Sequence, residues 1–122
     1  MSTLRVNTLQ DATGSNQPAM VGAAKAWVNF DGSGTVAIRA AFNVSTITDN
    51  GPGDYTVNFT TAMVDANYAW THGVSDGGTT GYGRTVNPKS SSTKSTTQFQ
   101  VEVQDEANTV NDPTYLCLAF FR

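Results

Sequence analysis

The sequence predicts an all-β fold: a single antiparallel β-sandwich, jelly-roll or immunoglobulin-like, or a small barrel, with an extended N-terminal arm. Most segments alternate apolar and polar residues with a period of two, and short clusters of Gly, Asn, Asp and Pro separate them. Helical spacing is confined to residues 63–68, which suffice for a single turn. The length of 122 residues suits one core, and we assign the sandwich domain to residues 23–122.

The first predicted hairpin joins AKAWVNF (residues 24–30) to TVAIRAAF (residues 35–42) through the turn DGSG, a strong hairpin signal. In the first segment, Trp27 lies opposite a face that holds Ala26, Val28 and Phe30. In the second segment, Arg39 should lie opposite a face that holds Val36, Ile38 and Phe42. We therefore expect this hairpin to bury one face and to expose the other.

The second predicted hairpin is FNVSTITDNGPGDYTVNF, residues 42–59. Its loop, DNGPGD, supplies glycines for positive φ and a proline that fixes φ. After the loop, polar residues alternate with the apolar residues Tyr55, Val57 and Phe59. One side of this hairpin should again be buried, while the other carries Thr and Asn side chains.

Three further segments are predicted beyond residue 66. NYAWTHGV (residues 67–74) aligns on one face Tyr68, Trp70, His72 and Val74. Residues 75–95 are rich in Gly, Ser and Thr and are predicted to form a long loop with room for one short edge strand. TTQFQVEVQ should bury Phe99, Val101 and Val103.

The last predicted strand, TYLCLAFFR, is apolar on both faces. Such a strand is either central in a sandwich or covered by another subunit. It also contains the single cysteine, Cys117, which cannot form an internal disulfide and which we interpret as a small buried apolar residue. Candidate subunit-interface residues of the folded domain are Trp27, Leu116, Leu118 and Phe120.

The N-terminal residues 1–22 differ from the rest of the chain. They alternate only weakly and end in a Gly-Ser-Asn-Gln-Pro run, so they can bury little surface by themselves. We expect an arm that contacts a sister chain or a larger particle through Leu4, Val6 and Leu9. The start of the chain lacks the basic and apolar segments of a signal peptide, and no window is apolar enough for a transmembrane helix.

The composition excludes several classes of partner. Charged residues make up 14% of the chain, the net charge is -3, and the pI is about 4.7. The sequence has no basic patch, so we expect neither a nucleic-acid partner nor membrane insertion. Thr, Ser, Asn and Gly replace the missing charges, as is common on extracellular and virion-surface β-proteins.

The side chains that carry chemistry are sparse. With one histidine, His72, a histidine-based triad or a multi-histidine metal site cannot form within one chain, and the single cysteine excludes a zinc site. The aspartates fall mostly in turns, where they make local hydrogen bonds, and the two glutamates, Glu102 and Glu106, do not suggest a catalytic pair. Asp49, Asn50 and Asp54 have oxygen ligands for Ca²⁺ but lack the spacing of a known calcium loop. We predict no enzyme activity, no cofactor and no metal.

A binding surface is the remaining possibility for function. Aromatic rings with a polar group can stack on sugars or partner proteins while neighbouring side chains donate hydrogen bonds. Loops on a rigid sandwich are a common place for recognition. The candidate ligand-binding residues border the long loop and are Trp70, His72, Tyr82 and Arg84.

The run AWVNFDGSGTVAIRAAFNVSTITDNGPGDYTVNFTTAMVDANYAW resembles a module at the ends of tail-fibre and other virion structural proteins of bacteriophages, especially marine and cyanobacterial phages. Those modules carry W-V-x-F-x-G-x-G, then I-R, then N-V-S-x-I-T-D-N-G-x-G-D-Y-T-V-N-F-x-x-A-M, then D-x-N-Y. The likeness covers about residues 25–70. It implies a homotrimeric virion protein without catalytic activity. The arm inferred above from residues 1–22 is then expected to bind other virion proteins.

The resemblance leaves several roles open. Because only residues 1–22 precede the module, a short tail-fibre or tail-tip protein that contacts a host-surface glycan or protein fits better than a long fibre. A capsid decoration, cement or head-fibre protein is the main alternative. A small glycan-degrading domain and a cellular carbohydrate-binding module are more remote ones.

Overall fold

The computed structural model describes residues 2–3, 22–75, 83–89 and 94–122. These parts of the chain contain eight β-strands and no helix, which confirms the all-β prediction. The strands are β1 Ala24–Asp31, β2 Ala37–Phe42, β3 Val44–Gly51, β4 Asp54–Phe59, β5 Ala69–Ser75, β6 Arg84–Pro88, β7 Gln98–Asp105 and β8 Tyr115–Phe121. Within the same residues, no helix has the length and apolarity needed to cross a bilayer.

The strands form two four-stranded antiparallel sheets that pack together as a sandwich. Sheet A has the order β2-β1-β8-β5, and sheet B has the order β3-β4-β7-β6. The structure thus selects the sandwich over the barrel. The predicted short edge strand in the long loop is β6, at the edge of sheet B.

The core lies between the inner faces of the two sheets. Its centre is an aromatic cluster in which neighbouring rings meet edge to face, with centroids 5.0–6.1 Å apart, formed by Phe59, Tyr68, Phe99 and Phe120. Edge-to-face geometry is favourable because the positive edge of one ring contacts the negative face of the next. The alternation in β1, β4 and β7 is confirmed, since the residues predicted to face inward there are buried.

Strand β8 is central in sheet A, between β1 and β5. Its inward residues Leu116, Leu118 and Phe120 are at most 2% exposed and belong to the core of this chain. A side chain enclosed by its own domain has no surface left for a neighbouring subunit. The assignment of these three residues to a subunit interface is therefore corrected: the outward residues of β8 are Tyr115, Cys117, Ala119 and Phe121.

Strand β2 departs from the predicted alternation because it contains a β-bulge. Phe30 pairs with Ile38 and Asn29 with Ala40, so Arg39 is an extra residue in the ladder. The extra residue reverses the faces beyond it, and Phe42 comes to lie opposite Trp27 on the outer face. The prediction that Phe42 shares a buried face with Ile38 is wrong, and Phe42 is 50% exposed.

Near one end of the sandwich, a group of hydrogen bonds links the turn after β1 in sheet A to the turn between β3 and β4 in sheet B. The Tyr55 hydroxyl donates to Asp112 Oδ1 at 2.6 Å and lies 3.1 Å from the Gly32 carbonyl oxygen. A Cβ at Gly32 would meet the Tyr55 hydroxyl at 2.4 Å, so glycine is required there. Burial, followed by the Asp112 carboxylate, raises the pKa of Tyr55 well above its ordinary value. Asp112 Oδ1 also accepts from the Gly53 amide at 2.8 Å.

Candidate functional site

One flank of the sandwich is bordered by β5 and β6, the edge strands of the two sheets, which contact each other. On β5, Trp70 and His72 lie opposite Phe120 and Leu118 of β8. Directly paired residues project from the same face of a sheet, so both rings project towards sheet B. Because β5 is the outermost described strand of sheet A, this part of the inner face reaches the solvent at the flank.

The facing strand β6 contributes residues to the same flank. Arg84 and Val86 lie opposite Asp105 and Val103 of β7, and Val103 is fully buried. Arg84 therefore projects from the inner face of sheet B, next to Val86 in the same row. The β5 and β6 rows together define what we call the open flank: Trp70, His72, Val74, Arg84 and Val86.

Three aromatic rings lead from the core to the solvent at the open flank. The Trp70 ring lies 5.0 Å from the buried Phe99 ring and 5.6 Å from the His72 ring, to which it is inclined by only 31°. Trp70 is half-buried and His72 is exposed. A tryptophan ring that rests on a buried ring offers a rigid apolar surface, and the imidazole beside it can exchange hydrogen bonds with a ligand.

Contacts around Tyr68 fix the base of this flank. The Tyr68 hydroxyl donates to the Ser95 carbonyl oxygen at 2.9 Å, and the Lys94 ammonium donates to the Tyr68 carbonyl oxygen at 2.6 Å. Lys94 Nζ also lies 4.5 Å from the centre of the Tyr68 ring, within cation–π range. Burial raises the pKa of Tyr68 to about 12. Since Tyr68 immediately precedes β5, these contacts hold the strand that carries Trp70.

The outer face of sheet B is covered by a polar network. The Asp54 carboxylate accepts hydrogen bonds from Lys89 Nζ, from Gln100 Nε2 at 2.7 Å and from Asn50 Nδ2 at 3.3 Å. Burial acts to raise the pKa of Asp54, but these donors outweigh it and hold the pKa below its ordinary value. Lys89 and two side-chain amides donate hydrogen bonds to the Asp54 carboxylate. We therefore interpret Asp49, Asn50 and Asp54 as hydrogen-bonding residues of sheet B. Among the described residues, no group of three or more His, Cys, Asp and Glu side chains is placed to hold a metal ion.

The outer face of sheet A is apolar by comparison. Trp27 and Phe42 are neighbours on β1 and β2 and are 39% and 50% exposed. Cys117 of β8 lies between its partners Asn29 on β1 and Gly73 on β5, and it is partly exposed. We define the sheet A face by its apolar and small outward residues Trp27, Ala40, Phe42, Cys117, Ala119 and Phe121, beside which lie the polar outward residues Asn29, Thr71 and Ser75.

A charged pair lies at one end of the sheet A face. Arg39 Nη2 donates to Asp31 Oδ2 at 2.9 Å and to the Thr114 carbonyl oxygen at 2.7 Å, and its guanidinium lies 5.8 Å from the Tyr115 ring centre. Hydrogen bonds from Ser33 and the charge of Arg39 lower the pKa of Asp31.

The predicted site residues that the structure describes lie in three places: the open flank, the sheet A face and, for Leu116, Leu118 and Phe120, the core. The open flank contains Trp70, His72 and Arg84, whereas Tyr82 lies outside the described residues. Trp27 is on the sheet A face, and the predicted arm residues Leu4, Val6 and Leu9 also lie outside the described residues, so the arm stays a prediction. The sequence reasoning missed Phe42 and the small outward residues of β8, although the two-sided apolarity of TYLCLAFFR indicated that such a face exists.

The fold is similar to part of the phiAB6 tailspike, whose crystal structure was determined in complex with three-repeated oligosaccharides of Acinetobacter baumannii surface polysaccharide. The match has a TM-score of 0.54 at 19% sequence identity and covers 81% of this chain and 20% of that chain. The chain thus spans about a fifth of the tailspike's length, and at this identity the likeness establishes the fold alone. Neither a protein-family model nor a curated protein matches the sequence.

Proposed function

We propose that the chain is a structural protein of a phage virion, in a short tail fibre or at the tail tip, and that it contributes to attachment to the host surface. The observation that carries this proposal is the fold likeness to part of a phage tailspike. The sequence of residues 25–70 resembles phage tail-fibre modules, which favours the same kind of particle. Both favour the tail or a fibre over the capsid surface.

The open flank is the proposed contact with the host. Trp70 and His72 offer an aromatic surface with hydrogen-bonding groups, and Arg84 adds a guanidinium that suits carboxylates or hydroxyls. Host-surface glycans present the apolar faces of sugar rings together with many hydroxyls, and the tailspike with the similar fold was crystallised with oligosaccharides of a bacterial surface polysaccharide. A glycan is therefore the preferred ligand, and a host-surface protein is the second choice.

The proposed assembly is a homotrimer that joins other virion proteins through residues 1–22. Several weak flank sites on one trimer, and several trimers on one particle, would give firm attachment through effective concentration without a strong single site. This mode of action involves binding without catalysis.

Competition for phage adsorption tests the proposed contact. Host cells are incubated with purified protein before phage is added, and free phage is counted over time. We expect the wild-type protein to slow adsorption and His72→Ala and Trp70→Ala to lose this effect. Val64→Ala is the matched control, because Val64 is 81% exposed and lies outside the strands.

His72→Ala is the more decisive variant, since His72 is exposed and its loss leaves the core intact. Its fold is checked by circular dichroism. Full competition by a folded His72→Ala protein and by Trp70→Ala would exclude the open flank as the contact. Release of reducing ends from purified host polysaccharide would instead favour the glycan-degrading alternative.

A further inference from the structure

We propose that the sheet A face is the surface through which copies of this chain contact each other. The occupant of this face is a second copy of the chain, and in the homotrimer three such faces would surround the threefold axis. This inference rests on the homotrimer of the proposed function but not on its contact with the host. It replaces the core residues Leu116, Leu118 and Phe120 as candidates for the interface.

The two outer faces of the sandwich differ sharply in composition. The outer face of sheet B presents polar side chains in every row, among them Thr46, Asn58, Thr48, Thr56, Gln100, Asp54, Glu102 and Asn87. The corresponding rows of sheet A hold the large apolar residues Trp27, Phe42 and Phe121 and the small residues Ala40, Cys117 and Ala119, with the polar residues Asn29, Thr71 and Ser75 beside them. A face built for water would be expected to resemble sheet B, so the contrast indicates that the sheet A face is covered in the assembly.

The β-bulge in β2 points to the same conclusion. Without the extra residue Arg39, the period of two would place Phe42 on the inner side with Ile38. With it, Phe42 lies opposite Trp27 on the adjacent strand, and both aromatic residues are exposed on the outer face. Bulges commonly redirect side chains to a functional surface, and large aromatic residues are enriched at the centres of subunit interfaces.

The charge distribution favours a second copy over an unrelated partner. In the middle of the sheet A face, around Cys117 and Trp27, the paired positions hold Asn29, Gly73, Ala40 and Ala119 and carry no charge. The charged residues Asp31 and Arg39 at one end neutralise each other at 2.9 Å. When identical faces meet around a symmetry axis, like charges at the centre would repel, and this face avoids that problem.

The area of the outer face of sheet A is close to what such a contact needs. Four strands spaced about 4.8 Å apart, each about seven residues long at about 3.3 Å per residue, cover roughly 450 Å² in projection. Two such faces together approach the roughly 1,000 Å² that a specific interface needs. Side-chain relief from Trp27 and Phe42 adds to the area that is buried.

The test combines mass with the reactivity of Cys117, the single cysteine of the chain. Wild-type protein and variants are analysed by light scattering after size exclusion and by the rate of maleimide labelling under native conditions. Phe42→Glu and Ala40→Glu introduce a charge on the face at exposed positions of an edge strand, so the core is unaffected. Val64→Glu introduces the same charge at an exposed position outside the face.

We expect wild-type and Val64→Glu proteins to have three times the 12.9 kDa chain mass and slow labelling of Cys117. Both face variants should be monomers that are labelled at least about tenfold faster, because the neighbouring copies no longer cover the thiol. A wild-type trimer whose face variants keep the trimer mass would overturn this inference and leave the homotrimer in place.

A wild-type monomer at all protein concentrations would overturn both the homotrimer and this inference. Labelling then identifies the alternative occupant. Slow labelling of such a monomer would mean that the chain's own N-terminal residues cover the face. Fast labelling would mean that the face is open and receives a different protein of the virion.

Discussion

Tyr55→Phe removes the Tyr55 hydroxyl and should destabilise the domain more than the equivalent substitution at Tyr68. The hydroxyl donates to the Asp112 carboxylate at 2.6 Å, and Tyr55 is fully buried. A hydrogen bond to a charged group contributes about 1.5–3 kcal/mol to stability. Tyr55→Phe leaves the Gly53 amide as a donor to the same carboxylate oxygen, so we expect a loss of about 2 kcal/mol in the free energy of unfolding.

Tyr68→Phe is the matched comparison for this prediction. Its hydroxyl is also buried but donates to a neutral carbonyl oxygen, that of Ser95, at 2.9 Å. A neutral hydrogen bond contributes about 1 kcal/mol, so Tyr68→Phe should cost about half as much as Tyr55→Phe. Both variants keep the aromatic ring, so changes in core packing contribute little to either loss of stability.

Urea denaturation followed by tryptophan fluorescence measures both losses. With a slope of about 2 kcal/mol per M for a domain of this size, Tyr55→Phe should lower the midpoint by roughly 1 M and Tyr68→Phe by roughly 0.5 M. The cycle of Tyr55→Phe and Asp112→Ala, each of which removes the hydrogen bond, isolates the pairwise energy. A loss below about 0.5 kcal/mol for Tyr55→Phe, or a coupling energy near zero, would refute the claim that this contact stabilises the fold.

Three further predictions concern the core and the response to pH. Phe99→Ala should cost about 3–5 kcal/mol by urea denaturation, because a fully buried ring at the centre of the aromatic cluster is replaced by a cavity. The pKa of Tyr68 is raised to about 12 in the folded chain, so the stability that Tyr68 contributes is complete below pH 10. Roughly 2–3 kcal/mol of the free energy of unfolding is lost as the pH rises towards 12. A Tyr68→Phe protein should lose less stability over that range, and identical stability curves for the two proteins would contradict the assignment. The bidentate contact from Arg122 lowers the pKa of Asp65 to about 2, so the stability that this ion pair contributes is present above pH 4 and is lost as the pH falls towards 2. In thermal melts, the Arg122→Gln protein should be less stable than wild type at neutral pH and equal to it near pH 2.

The sequence predicted the strands and core faces well where a period of two is unbroken. The pattern in β1, β4 and β7 has one apolar face, and a single face can be buried in only one way. Short turns rich in Gly and Asp added the boundaries of the first two hairpins. These are local signals, and each can be read from a few neighbouring residues.

The sequence did not predict the features that depend on pairing between strands. The bulge at Arg39 is visible only once β1 and β2 are aligned, so Phe42 was assigned to the wrong face. In β8 both faces are apolar, and the choice of inward residues was settled by β8 lying between β1 and β5, which buries Leu116 and leaves Cys117 outward. The sequence predicted part of the open flank, because Trp70, His72 and Arg84 border the predicted loop. That β5 and β6 lie side by side at this flank depends on how the two sheets pack, which the sequence pattern does not show.

Immunogold labelling of intact phage particles that contain this chain tests the central claim most directly. An antibody against the purified protein is applied to the particles, and the gold is located by electron microscopy. The account predicts gold at the tail tip or on short fibres. Gold spread evenly over the head would contradict it and would identify the chain as a capsid decoration protein.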